Sequence, residues 1–178
     1  MSRDQGIGIL GGGQLSRMLV QAAEKLGLKA IPLVDSSQSP AAQVSSDRII
    51  YAPSYNDIEL EMDALEKLFN QVGTVIFENE FVDCTLLALV SRDMDVQFVP
   101  RLFAIRTLQD KLSQKKILAQ CGIPHARFIA YVGDQETDAA LGSWIEKVKK
   151  EFPSGSVLKW SKFGYDGYGN FLLSKEIF

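Results

Sequence analysis

Three groups of residues in this chain have the types and spacing that chemistry requires. The first runs from Lys159 to Asn170, Lys-Trp-Ser-Lys-Phe-Gly-Tyr-Asp-Gly-Tyr-Gly-Asn. A lysine at the end of a buried strand is a point charge suited to phosphate. Gly164, Gly167 and Gly169 let consecutive backbone amides close over such an anion. A plain hairpin would explain Asp166-Gly167 as turn chemistry. Three glycines behind a basic strand exceed what a turn needs, which favours a phosphate-covering lid. Asp110-Lys111 belongs to the same constellation through its cation.

The second group is Gly11-Gly12-Gly13-Gln14-Leu15-Ser16, between an apolar run and a helical pattern. Amides at a positive helix end could face an anionic or polar ligand there. The spacing approximates a dinucleotide fingerprint, with Asp35 where a ribose-binding acid would follow the second strand and Ser16 in place of the third glycine. A tight turn that needs glycine only for packing is the simpler alternative. The third group is Glu78-Asn79-Glu80, directly after a strand. Strand alternation would point Glu78 and Glu80 one way and Asn79 the other, unless both carboxylates are merely solvated. His125, alone in a loop after Pro124, reads as solvated surface.

These residues need a scaffold, and the apolar periodicity supplies one. Gly6 to Leu10 reads as a strand and Leu15 to Leu26 as a helix, followed by strands over Leu28 to Val34 and Arg48 to Tyr51. A helix over Ile58 to Phe69, a strand over Val75 to Phe77, a helix over Thr85 to Arg92 and a strand over Val96 to Val99 continue the alternation. Alternating strands and helices predict right-handed βαβ units in a parallel sheet covered on both faces. In such sheets ligands bind outside the carboxyl ends of the strands, which puts the glycine turn and Glu78 beside one crevice.

The rhythm changes after Pro100. Leu108 to Gln120 reads as a helix stopped by Gly122 and Pro124, Arg127 to Val132 as a strand, and Glu136 to Lys150 as a helix. Ser156 to Trp160 and Phe171 to Ser174 read as strands around the glycine loop. A boundary between residues 100 and 107 separates domains of residues 1–103 and 104–178.

Composition narrows the partners. With 19 basic and 22 acidic residues the chain lacks the electrostatic footprint of a nucleic-acid binder. No apolar run approaches the roughly 20 residues that span a bilayer, and the N-terminus reads straight into a strand, which points to the cytoplasm. Cys84 and Cys121 lack metal-ligand spacing and read as reduced thiols.

Taken in order, Gly11-Gly-Gly-Gln-Leu-Ser-Arg-Met-Leu19, Phe77-Glu-Asn-Glu80, Gln109-Asp-Lys111 with Lys115, Gly122-Ile-Pro124, and Lys159 through the loop Gly164 to Asn170 resemble the 5-(carboxyamino)imidazole ribonucleotide synthase family of ATP-grasp enzymes. The resemblance covers nearly the whole chain. It implies an α/β fold: a Rossmann-like, parallel-sheet pre-ATP-grasp domain followed by the first α+β subdomain of an ATP-grasp fold. The implied activity joins bicarbonate to the amine of aminoimidazole ribonucleotide using ATP and Mg²⁺, in purine synthesis.

It also implies residue roles. Gly13, Gln14, Leu15 and Glu78 would line the substrate crevice, together with Glu80 of the same motif. Lys111, Lys159 and the loop Gly164, Tyr165, Asp166, Gly167, Tyr168, Gly169 and Asn170 would hold ATP, with Lys159 and Asp166 nearest the reaction. Partners would be small molecules, with neither nucleic acid nor membrane, in a homodimer. The family usually carries arginine or lysine at Tyr168, glutamine at Asn170, arginine at Lys111 and glycine at Ser16, so the loop here has less charge to stabilise phosphoryl transfer. The acidic Mg²⁺ ligands and the adenine pocket are expected beyond residue 178, as in a longer enzyme or a truncated relative needing a partner. A strand Phe171 to Leu173 would then expose apolar surface. Two further readings are a non-catalytic nucleotide-binding or assembly module and an NAD(P)-binding domain built on the first glycine turn.

Overall fold

The computed structural model describes residues 6–45, 50–51, 58–131, 138–164 and 167–174. The chain divides into two compact units, Met1–Arg106 and Thr107–Phe178.

In the first unit, β1 (Gly6–Leu10), β2 (Ala30–Val34), β3 (Ile50–Tyr51), β4 (Val72–Phe77) and β5 (Gln97–Val99) form one sheet in the order β3-β2-β1-β4-β5. Every neighbouring pair is parallel, with Gly8 opposite Ile31 on one side and Val75 on the other. Helices α1 (Gln14–Lys25), α2 (Ile58–Phe69) and α3 (Cys84–Val90) connect strands. Leu10, Ile31, Leu65, Leu68, Phe69, Val75 and Leu87 make one core cluster, while Ile9, Val20, Ala23 and Ala30 make another. Each large apolar side chain buried this way contributes about 1.5–3 kcal/mol. The α/β parallel-sheet expectation is borne out.

Local chemistry sets the element ends. Leu28, expected to open the second strand, is consumed by the end of α1: its amide donates to the Ala23 carbonyl at 2.9 Å, after Gly27 turns at φ +70°. This is helix C-capping by a left-handed glycine. Asp83 caps α3, its Oδ1 accepting from the Thr85 and Leu86 amides at 2.7 and 3.1 Å. Arg48 lies outside the described residues.

The expected helix over Leu108 to Gln120 is formed as α5 (Lys111–Gln120), and a separate helix, α4 (Leu102–Leu108), precedes it. Asp110 separates them by starting α5 as its N-cap, accepting from the Ser113 amide at 2.9 Å. Helix α6 (Asp138–Glu151) and an antiparallel pair, β6 (Ser156–Lys159) with β7 (Asn170–Leu173), complete the second unit.

The expected strand from Arg127 is not formed over residues 127–131. Side chains hold that segment instead. Trp144 Nε1 of α6 donates to the Ala130 carbonyl at 3.2 Å, Tyr131 meets the Trp144 ring edge-on, and Arg127 pairs with Glu151 at 2.8 Å. Lys159 is likewise not buried: it is exposed at the end of β6. The hairpin lacks a covering layer over much of its surface, as Phe171 at 58% and Leu172 at 69% exposure attest. No helix among the described residues is long and apolar enough to cross a membrane.

Candidate functional site

The first glycine turn leaves the carboxyl end of β1, where Gly11 turns at φ +120°. Glu78 follows the adjacent β4, its amide donating to the Leu10 carbonyl at 3.0 Å. That placement brings its carboxylate back over the turn, where Oε2 accepts from the Gly13 amide at 2.7 Å and Oε1 from the Ser16 amide at 3.4 Å. Side chains at Gly11 or Gly13 would collide with Glu78. The positive end of α1 therefore carries the chain's own carboxylate. A dinucleotide pyrophosphate would have to displace it.

Ser16 has a different task from the glycine it replaces. It is fully buried, and its Oγ donates to the Gly11 carbonyl at 2.7 Å, fixing the turn. Gly12 is a close-packing glycine, since a Cβ there would lie 3.0 Å from Ser39 Cβ. Asp35, the candidate ribose acid, accepts from Ser39 Oγ at 2.8 Å. Gln14 and Leu15 are exposed on the first turn of α1. Residues 78–80 form a bend rather than strand, so alternation does not orient them. Asn79 turns back on itself, accepting from the Phe81 amide at 2.9 Å, and Glu80 is half-buried in the bend.

In the second unit, the N-terminus of α5 and the glycine loop meet. The Lys111 amide donates to the Ser161 carbonyl at 2.8 Å, and the Lys111 ammonium donates to the Gly164 carbonyl at 2.7 Å. Ser161 Oγ donates to Asp110 Oδ1 at 2.8 Å. Burial pushes the Asp110 carboxyl up. The Ser113 and Leu112 amides, the Ser161 hydroxyl and the Lys162 charge outweigh that and hold it below the usual carboxylate range. Gly169, at φ +72°, lies against Trp160, leaving 3.0 Å between a Cβ there and the indole. Lys159 stands directly across the hairpin from Asn170. Opposed residues of an antiparallel pair share a face, so this pair lies on the side of exposed Val157 and Leu172.

Of the residues singled out from the sequence, Gly13 joins Glu78 and Lys111 joins Gly164 by hydrogen bonds, while Lys159 pairs with Asn170. Gly167 and Tyr168 are exposed in the loop, and Tyr165 and Asp166 lie outside the described residues. His125 is half-buried, with Nδ1 3.0 Å from the Ile123 carbonyl of its own loop. The sequence reading takes Ser16 only as a replaced glycine and does not single out Ser161. Ser161 carries no local signal, because its partner is 51 positions away. Among the described residues no group of three His, Cys, Asp or Glu side chains could hold a metal ion.

An open parallel sheet with its glycine turn at the end of the central strand, leading into an α+β unit, is the layout of a pre-ATP-grasp domain entering an ATP-grasp fold. Residues 5–109 match the profile of the ribonucleotide synthetase preATP-grasp domain, and the chain belongs to that family. It is 34% identical over 169 residues to N5-carboxyaminoimidazole ribonucleotide synthase of Synechococcus elongatus, covering 95% of this chain and 39% of the relative. The solved carboxyaminoimidazole ribonucleotide synthase of Aspergillus clavatus with ATP superposes with a TM-score of 0.78 at 35% identity, covering 98% of this chain and 42% of that one. The same enzyme with ADP and 5-aminoimidazole ribonucleotide gives 0.76 at 33% identity, with 98% and 42% covered. The resemblance drawn from the motifs is borne out. The chain spans about two-fifths of the length of these relatives.

Proposed function

We propose that this chain supplies the substrate crevice and one lid of the ATP site of a carboxyaminoimidazole ribonucleotide synthase, an ATP-dependent ligase of purine synthesis. The observation that carries this reading is the docking of Lys111 onto Gly164: a cation and a glycine loop, far apart in sequence, converge as phosphate binding requires. The Aspergillus clavatus relative bound to ADP and 5-aminoimidazole ribonucleotide supports the ligand identities.

In this reading a bicarbonate oxygen attacks the γ-phosphorus of ATP, the bond to ADP breaks, and carboxyphosphate forms. The amine of aminoimidazole ribonucleotide then attacks the carboxyphosphate carbon, phosphate leaves, and the nitrogen loses a proton. Lys111 and Lys159 neutralise phosphate charge, and the amides from Gly164 to Asn170 cover it and exclude water. Glu78, an acceptor, takes donor groups of the ribonucleotide, beside Gly13, Gln14, Leu15 and Glu80. Asp166 would take the place near the substrate that the family resemblance implies for it. Mg²⁺ would add charge stabilisation at the phosphates. The described residues offer no ligand set for it, so their own part is charge contact and hydrogen bonding. The domains 1–103 and 104–178 would divide these tasks between substrate and nucleotide, in a cytoplasmic homodimer.

ADP release tests this, measured with and without bicarbonate and aminoimidazole ribonucleotide, on this chain and on a form extended to the relatives' length. Dependence on both in the extended form is expected; ATP hydrolysis indifferent to both refutes it. A second reading, nucleotide binding without turnover, is favoured by Tyr168, a 71% exposed phenol where the family's loop usually carries a cation. ADP binding with no turnover in either form would select it.

A further inference from the structure

We infer that Asp110 and Ser161 are a positioning pair: they fasten the segment after β6 to the N-terminus of α5, so that the Lys111 ammonium is held at the Gly164 end of the glycine loop, ready for a phosphate. The inference rests on the nucleotide reading of this site and adds two residues to it, acting through Lys111 rather than on the ligand.

The geometry is a clasp with three bonds. The first helical amide has no partner inside its own helix. In α5 that amide belongs to Lys111, and the Ser161 carbonyl takes it at 2.8 Å. The Ser161 hydroxyl simultaneously donates to Asp110 Oδ1 at 2.8 Å, the same oxygen that accepts from the Ser113 amide at 2.9 Å. Capping the helix thus aims the carboxylate, and the carboxylate fixes the serine. With both ends of the Ser161 residue held, the chain reaches Gly164 at the distance that lets Lys111 Nζ donate to its carbonyl at 2.7 Å.

There is little slack in that arrangement. A Cβ on Gly164 would lie 3.0 Å from the Tyr168 carbonyl and 3.3 Å from Lys111 Nζ. A lysine side chain loses about 1.5–2 kcal/mol of rotamer freedom when fixed, so prior anchoring lowers what a ligand must order. The ammonium has three N–H donors, and Gly164 takes one. The positioning pair leaves the donor set pointed into the loop.

Ser161→Ala removes the hydroxyl bond and keeps the carbonyl; Ser161→Thr restores the hydroxyl. Two measurements on the full chain separate the possibilities. Amide hydrogen exchange at Lys111 should quicken about tenfold in Ser161→Ala, the effect of losing a hydrogen bond to a charged group, and return in Ser161→Thr. ADP affinity, measured by calorimetry well below the melting transition, should fall about tenfold in Ser161→Ala and recover in Ser161→Thr. A purely structural serine would lower the melting temperature and leave that affinity alone. Unchanged Lys111 exchange in Ser161→Ala, or equal ADP affinity in both proteins, overturns the inference. ADP binding by neither this chain nor the form extended to the relatives' length refutes the proposed function instead, and the exchange rates then decide the clasp.

Discussion

Replacing Gly13 by alanine puts a methyl group where the Glu78 carboxylate lies, so its cost should depend on Glu78. The Gly13 backbone, at φ −78° and ψ −163°, is extended and open to any residue. The collision is with Glu78 Oε1, with Cδ at 3.0 Å and Oε2 at 3.2 Å. Moving that carboxylate breaks its bond to the Gly13 amide, worth about 1.5–3 kcal/mol as a charged hydrogen bond. Losing glycine at the N-cap adds about 0.5–1 kcal/mol. In a Glu78→Ala background only the cap term remains, so the coupling energy should be about 1.5–3 kcal/mol.

Gly11→Ala is the control. At φ +120° its backbone costs a side chain about 1–3 kcal/mol. Its Cβ would also sit 2.7 Å from Glu78 Cβ, an atom that Glu78→Ala retains. Glu78→Ala should therefore rescue Gly13→Ala and leave Gly11→Ala unrescued. Amide exchange in β1 reads the free energies, the coupling appearing as a factor of about ten to one hundred and fifty. Equal costs of Gly13→Ala in both backgrounds, or full rescue of Gly11→Ala, would refute the carboxylate cap on α1.

Three further outcomes are expected. The lowered Asp110 carboxyl contributes stability that is complete above the unfolded carboxylate range, near about 4, and is lost as pH falls through its lower folded value; Asp110→Asn should flatten that acid limb in urea unfolding followed by tryptophan emission. Trp144→Phe removes the bond to the Ala130 carbonyl, costing about 1 kcal/mol, and should speed proteolysis within residues 123–131 while leaving β1 exchange unchanged. Leu68, fully buried under the sheet, should cost about 2–5 kcal/mol as alanine by chemical denaturation of the first unit.

What the sequence made legible was local. The switch from strand to helix period around Gly11 to Gly13 predicts β1, the turn and α1, because backbone permissiveness and side-chain periodicity both act within a few residues. The strand expected from Arg127 fails for the complementary reason. β propensity expresses fit to a neighbouring strand, and this segment found Trp144 and Glu151 instead. Lys159 was misjudged similarly: an apolar strand is buried only where another layer covers it. Helix α4 falls in the stretch 100–107 that reads as a domain boundary. The Glu78–Gly13 and Ser161–Asp110 bonds join residues 65 and 51 positions apart, a distance over which spacing carries no information.

The two candidate sites also differ in what they can accept, for one electrostatic reason. At α1 the amides already hold a full negative charge, so an incoming phosphate meets repulsion from Glu78 before it meets a donor. An amine or hydroxyl meets an acceptor. At Lys111 the ammonium's present partner is a neutral carbonyl, and a phosphate that replaces it keeps the charge-assisted hydrogen bond and adds the attraction of an opposite charge. The first unit is thus built to choose donors and the second to choose anions. On the proposed function the ribonucleotide would present hydroxyls or its amine to Glu78, and its own phosphate must be met by cations rather than by the amides of α1.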